Sequence, residues 1–420
     1  MSYNELPLGE IANVTKLAGY EFTKYIVYDE KAEIIAIRGL NIKNGVLDLT
    51  DVKKISRKVS DELVRSKLFK DDIVLTYTGT IGNVAIIKED DAFHLAPNVA
   101  KITFTEKKYN PYFYYSYFRS EDFYNKLMNY SVGSTQATIP MKTIREITVP
   151  VPPLETQNKV SNFISSIDEK IRINKELIGS LEEMSQTIFK HWFIDFEFPN
   201  EEGLSYKSNG GKMVESELGE IPEGWIVGAI KDLCLISSEK INLDKEKRNF
   251  HYIGLEHMPQ GSIALGNWES SKKVSGVKGV FNKGDILFGK LRPYFKKVGI
   301  TSVEGVCSTD ILVFIPKNDF GKAYLLMNLI QDKFIEYTTS TATGTRMPRT
   351  GWNQIGRYST VIPPTNLLIK FSEVLSPMLE QIQELIHENI YLGRVRDSLL
   401  PKMLSGEIEI PDESVVDLVV

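Results

Sequence analysis

The stretch Thr148–Gln157 reads TVPVPPLETQ, and about 211 residues further on Thr360–Leu368 reads TVIPPTNLL. Each begins as a strand-like run, meets Pro-Pro, and passes at once into an amphipathic pattern. Proline is tolerated in the first turn of a helix and pushes the residue before it to extended backbone, so each pair marks a strand's end and a helix's start. After the first pair, Ile164, Ile167, Ile171, Asn174, Ile178, Leu181, Ser185, Ile188 and Trp192 follow at alternating spacings of 3 and 4. After the second, Leu368, Phe371, Leu375, Met378, Ile382, Leu385, Asn389, Leu392, Arg396, Leu399 and Met403 do the same. Held over several heptads, this spacing predicts a coiled-coil seam rather than the wider stripe of a globular helix.

Two helices of about 40 residues, each about 60 Å long, pair most simply antiparallel within one chain. That arrangement sets Asn174 across from Asn389, one asparagine in each seam. Buried polar seam residues can fix register, although both would equally suit solvent-facing positions in a frayed seam.

The segments before each Pro-Pro also repeat. DDIVLTYTGTIG (Asp71–Gly82) is echoed by GDILFGKL (Gly284–Leu291), and Gly133-Ser134-Thr135 before Pro140 by Gly344-Thr345-Arg346 before Pro348. Short alternating runs such as ITFT, DIVLTY and DILVFI, broken by Gly, Asn and Asp, predict a strand-rich α/β (mixed α+β) domain in each copy. The expected order is a globular domain over 1–154, a central spacer helix over 155–200, a linker and second globular domain over 201–365, a C-terminal helix over 366–405, and an acidic tail over 406–420. Two domains joined and spaced by two long antiparallel helices form a pseudo-twofold internal repeat.

Charge follows the same division. The net charge of -5 is made of +1 over 1–154, -3 over 155–200, +3 over 201–365 and -6 over 366–420. The globular parts can meet phosphate, while the acidic segments suit a protein partner. No apolar run approaches the roughly 20 residues that span a bilayer, and the opening MSYNELPLGE lacks the marks of a signal peptide; a cytoplasmic location is expected. Cys234 and Cys307 form neither a disulfide framework nor a metal pattern, and read as core residues.

Motifs for chemistry are missing. There is no P-loop, G-x-G-x-x-G or G-x-S-x-G, and Gly79–Asn83 (GTIGN) reads as a turn. Neither Pro-Pro has the preceding Asn or Asp and following aromatic with which amino-methyltransferases grip a base. The five histidines are scattered without metal-ligand spacing, so no metal site and no catalytic residue is assigned.

Two loops per copy do suit nucleic acid. In the second copy, KLRPYFKKVG (Lys290–Gly299) sets Lys290, Arg292, Lys296 and Lys297 around Tyr294, and ATGTRMPRTGW (Ala342–Trp352) adds Thr345, Arg346 and Arg349. The first copy offers Thr76, Tyr77, Thr78, Thr80 and Asn83 in TYTGTIGN, and Ser134, Thr135 and Gln136 in VGSTQATIP. Gln136 can pair with adenine and Arg346 with guanine, while hydroxyls and lysines suit phosphates. Taken alone the basic cluster also fits a solvated face; its position, equivalent to the polar loops of the first copy, favours binding.

Several stretches together resemble the specificity subunits of type I restriction-modification enzymes. They are LGEIANV (Leu8–Val14), DIVLTYTGTIGNVAII (Asp72–Ile87), the run from Gly133 through TVPVPPLETQ to Ile171, SELGEIPEGW (Ser216–Trp225) and LLPKMLSGEI (Leu399–Ile408). The resemblance covers nearly the whole chain. It implies two target-recognition domains on double-stranded DNA, docking of two modification (methyltransferase) subunits, and restriction subunits that join them. It implies no cofactor in this chain: S-adenosylmethionine, ATP and Mg2+ are expected on the partners, and adenine methylation is the partners' work. The unlike loops of the two copies predict a bipartite, asymmetric target. A self-sufficient nuclease or methyltransferase, a stand-alone DNA-binding protein, a protein tether, and a subunit of a related phage-defence methylation system without restriction are the rival readings.

Overall fold

The computed structural model describes residues 3–130 and 137–408. The chain divides into two compact units: Met1–Lys170 with Leu392–Val420, and Ile171–Tyr391.

The first unit holds two four-stranded sheets. In one, Ala12–Lys16, Val99–Phe104, Ile73–Thr76 and Val84–Ile86 run side by side, all antiparallel. In the other the order is Lys53–Ile55, Ile34–Ile37, Phe93–Leu95, Lys67–Leu68, with a parallel pairing of Phe93–Leu95 on Ile34–Ile37. The second unit repeats both. Cys234–Ile236, Ile311–Pro316, Ile286–Gly289 and Val298–Thr301 are antiparallel neighbours, with Ala264–Leu265 added parallel at the edge. Its other sheet has Val277–Phe281, Gly305–Cys307, His251–Ile253 and Glu269–Ser270 in the matching order, again with one parallel pair, and Lys240–Asn242 as the extra edge. The repeat read from short sequence echoes is thus one strand order used twice.

The run before each Pro-Pro is the last strand of its copy. Thr148–Pro150 pairs with Glu5–Pro7, and Ser359–Ile362 with Ile226–Ala229. The long helices follow, Leu154–Phe189 and Thr365–Ser405. The second proline of each pair lies just outside its helix, where its carbonyl accepts the first intrahelical bond, from Gln157 N at 3.0 Å and from Leu367 N at 3.0 Å. An acceptor is all that position needs, so the missing proline N–H costs nothing there.

The two long helices pair antiparallel. In the first unit Arg396 donates to Asp168 at 2.7 Å, and in the second the Phe189 and Phe371 rings lie 6.2 Å apart. Seam positions Ile164, Ile167, Asn174, Ile178, Leu181 and Ser185 are buried, as are Leu368, Phe371, Leu375, Ile382, Leu385, Leu392 and Met403. At the end of the first helix the buried positions are Phe189 and Phe193 instead of Ile188 and Trp192, where the backbone widens into a π-turn over Lys190–Ile194. The shift begins before that turn: Leu181, Ser185, Phe189 and Phe193 are buried at a constant spacing of 4, with Ile188 and Trp192 half-buried beside them.

The helices are not separate rods between finished domains. Val160, Ile164, Leu400, Met403 and Leu404 complete the core of the first unit, beside Leu8, Phe113 and Ile144. Ile178, Leu181, Phe371, Leu375 and Ile382 do the same for the second, beside Trp225, Tyr324 and Phe334. Both cysteines are free and buried in the second unit, and burial pushes each thiol up to about 12. Among the described residues no helix is long and apolar enough to cross a membrane.

Candidate nucleic-acid interface

In each unit the fold joins the two loops that the sequence singled out. In the first, Gly79 N donates to Ala137 O at 3.2 Å and Ile139 N to Tyr77 O at 2.9 Å, with a Thr78–Thr138 bridge and their hydroxyls 3.1 Å apart. In the second, Arg292 N donates to Pro348 O at 2.8 Å and Thr350 N to Lys290 O at 3.1 Å, with a Leu291–Arg349 bridge. The pairing is alike: the loop after a central strand of the antiparallel sheet meets Ala137–Ile139, just before Pro140, in the first unit and Pro348–Thr350 in the second.

Side chains within those loops divide by what they already hold. Thr76 is fully buried, and its hydroxyl bonds Thr80 O and accepts from Asn83 N at 2.9 Å, so it shapes the turn from inside. Asn83 donates to Ile42 O at 3.1 Å. Tyr77 is buried, which raises its hydroxyl's pKa, and the Lys16 ammonium lies 5.4 Å from its ring. Thr80 is exposed and Thr78 half-buried. Ser134, Thr135 and Gln136 lie outside the described residues.

In the second unit, Arg292 and Lys296 both adopt left-handed backbone, at φ 50, on either side of a tight Pro293–Phe295 turn. Non-glycine residues take this geometry rarely, and where they do it marks a conformation fixed by its surroundings. The turn presents Tyr294, 49% exposed, its ring edge-on to Phe295. Lys296 is ion-paired to Asp332 at 2.8 Å, and Arg349 grips Asp310 with Nε at 3.0 Å. Lys297 turns inward to donate to Leu255 O. Lys290, Arg292 and Arg346 have no ion pair among the described residues, and the Nε of Arg292 is buried without a hydrogen-bond partner. Thr345 and Arg346 are exposed.

A third loop at each site was not singled out from the sequence. Gly39 lies against Thr76 and Thr80, and Leu255 against Gly289 and Lys297. Both belong to tight turns, Gly39–Asn41 and Leu255–His257, that follow the strand in the parallel pair. The available signal was the pair Gly39-Leu40 and Gly254-Leu255, one more echo at nearly the common offset.

Glu256, His257 and Glu269 bring potential ligand atoms within 4.8 Å of one another. The His257 Nδ1 accepts from Gly254 N at 2.9 Å, which places the proton of the neutral ring on Nε2 and makes that atom a donor. In the helix pair, Asn174 is 1% exposed and donates to Glu388 at 2.6 Å, the residue next to Asn389, whose own Oδ1 is buried without a hydrogen-bond partner.

Residues 2–183 match the family described as type I restriction modification DNA specificity domain. The MjaIX specificity subunit of Methanocaldococcus jannaschii is 26% identical over 379 residues, which cover 86% of this chain and 84% of that one. This chain is similar to the type I specificity subunits over most of its length. The HindI specificity subunit of Haemophilus influenzae is 22% identical over 348 residues, covering 68% of this chain and 74% of its own. The crystal structure of an S subunit from M. genitalium has the same fold, with a TM-score of 0.55 and 14% identity over 98% of this chain and 97% of that one.

Proposed function

We propose that each unit reads one half of a bipartite, asymmetric DNA target through its three joined loops. The observation that carries this reading is one strand order used twice with chemically unlike loops at the equivalent place. Hydroxyls and an amide stand at Thr78, Thr80 and Asn83 where the other copy has Lys290, Arg292 and Tyr294. Direct readout depends on donor and acceptor pattern, so unlike loops select unlike bases. Arg346 and Gln136 are the proposed base readers, and Lys290, Lys296 and the loop hydroxyls hold phosphates.

The acidic long helices dock the modification subunits, and Asn174 and Asn389 hold the register of the helix pair. A modification subunit on each half-site extrudes an adenine, whose amino group is out of reach inside the stack. The complex works in the cytoplasm. Mapping methylated adenines in a host that carries the complete system tests the reading: two unlike half-sites separated by unread bases are expected, and a continuous or palindromic motif overturns it.

A further inference from the structure

The turn Leu255–His257 and its continuation to Leu265 bring the first long helix to the basic loop of the second unit. Glu182, on that helix, accepts three hydrogen bonds from the segment with one carboxylate oxygen: Ser262 Oγ at 2.6 Å, Ile263 N at 2.7 Å and Ala264 N at 3.1 Å. The same segment holds the basic loop from the other side. Gly261 N donates to Lys296 O at 3.1 Å, Lys297 donates to Leu255 O, and Ile300 N donates to Ile263 O at 3.0 Å. A Cβ at Gly299 would stand 2.6 Å from Ile263 O, so strand and segment are in tight contact, and Gly266 closes against Ile386 of the second long helix.

We infer that Glu182 is a positioning residue for target recognition, fixing Gly261–Leu265 to the helix and through it the Lys290–Lys297 loop. A carboxylate accepting from backbone N–H groups makes charge-assisted bonds stronger than neutral ones. Burial raises the Glu182 carboxyl, whereas its three donors favour the charged form. The geometry suits placement of a loop: the acceptor is on a rigid helix, and its donors are backbone atoms of the segment being placed. Without it, the Lys296 carbonyl and the Lys297 ammonium keep Gly261 and Leu255 as partners, but the segment that carries them is free to shift.

This inference rests on the reading of the basic loop as a DNA contact, and the test separates the two. The complete methyltransferase complex is titrated with three duplexes: the mapped target, and that target altered in one or the other half-site. A triple variant Arg292→Ala, Tyr294→Ala, Arg346→Ala identifies the half-site read by this unit as the one at which discrimination falls. Glu182→Ala is expected to lower discrimination at that half-site by about tenfold and to leave the other unchanged. Glu182→Gln, which keeps an acceptor oxygen, is expected to fall between, with a melting temperature close to the parent's. Equal loss at both half-sites, or no loss with Glu182→Ala while the triple variant is defective, overturns the positioning role alone. No effect of the triple variant overturns the loop reading and this inference with it.

Discussion

Arg346 and Lys297 show how far residue type predicts role. Both were basic residues in candidate loops, yet Arg346 is exposed and unpaired among the described residues, whereas Lys297 is spent on the Leu255 carbonyl. Arg346→Ala is therefore expected to cost about 1–3 kcal/mol of binding at one base position without lowering the melting temperature. Lys297→Ala is expected to do the reverse, loosening the Leu255 turn and leaving the slope of affinity against salt nearly unchanged. Fluorescence anisotropy on duplexes altered at single base positions, beside thermal melts, separates them, since only a lost base contact relaxes specificity at one position. The sequence could name these side chains because loops of Gly, Thr, Arg and Lys are locally legible. It could not tell which face inward, because Leu255, Asp310 and Asp332 reach the loop only through the tertiary fold.

At the scale of elements, the long helices were the most legible part, since their 3-and-4 spacing depends on nothing distant. The π-turn over Lys190–Ile194 was not, and neither was the way each unit ties its turn to the helices. The second unit uses Glu182, and the first uses a chain of contacts. Tyr115 donates to Gly45 O at 2.7 Å, the Arg119 guanidinium lies 5.0 Å from the Tyr115 ring, and Asp168 accepts from Arg119 at 2.6 Å and from Arg396 at 2.7 Å. Burial alone would raise the Asp168 carboxyl, but the two arginines hold it below the ordinary carboxylate value. A carboxylate depressed in the folded state gives stability that is complete above its unfolded value, near about pH 4, and is lost as pH falls through the folded value. Asp168→Asn is thus expected to cost on the order of 2 kcal/mol at neutral pH, and urea melts of parent and variant should converge below about pH 4. A constant difference at every pH would show that Asp168 acts through shape rather than charge.

For the molecule as a whole, the repeat was legible because the offset of about 211 recurs at the strand, the loop and the Pro-Pro of each copy. The interleaving of the chain was not. The spacing that predicted two domains, each followed by a long helix, says nothing about which core each helix end completes. In the structure, Leu400, Met403 and Leu404, at the end of the second long helix, belong to the core built by the N-terminal residues of the chain. A chain ending at residue 391 would strip those three side chains, each worth roughly 1.5–3 kcal/mol of burial, from the first unit, together with the Arg396 partner of Asp168. The second unit's core residues, Ile178 through Ile386, all lie before that end. Truncation there is expected to speed amide exchange across residues 12–16, 73–76 and 99–104 and to leave 286–289 and 298–301 protected. Equal loss of protection in both sets would show that the units unfold as one. Loss confined to the first would mean that the last turns of the second long helix act on the proposed recognition loop Thr76–Asn83 by completing the core beneath it.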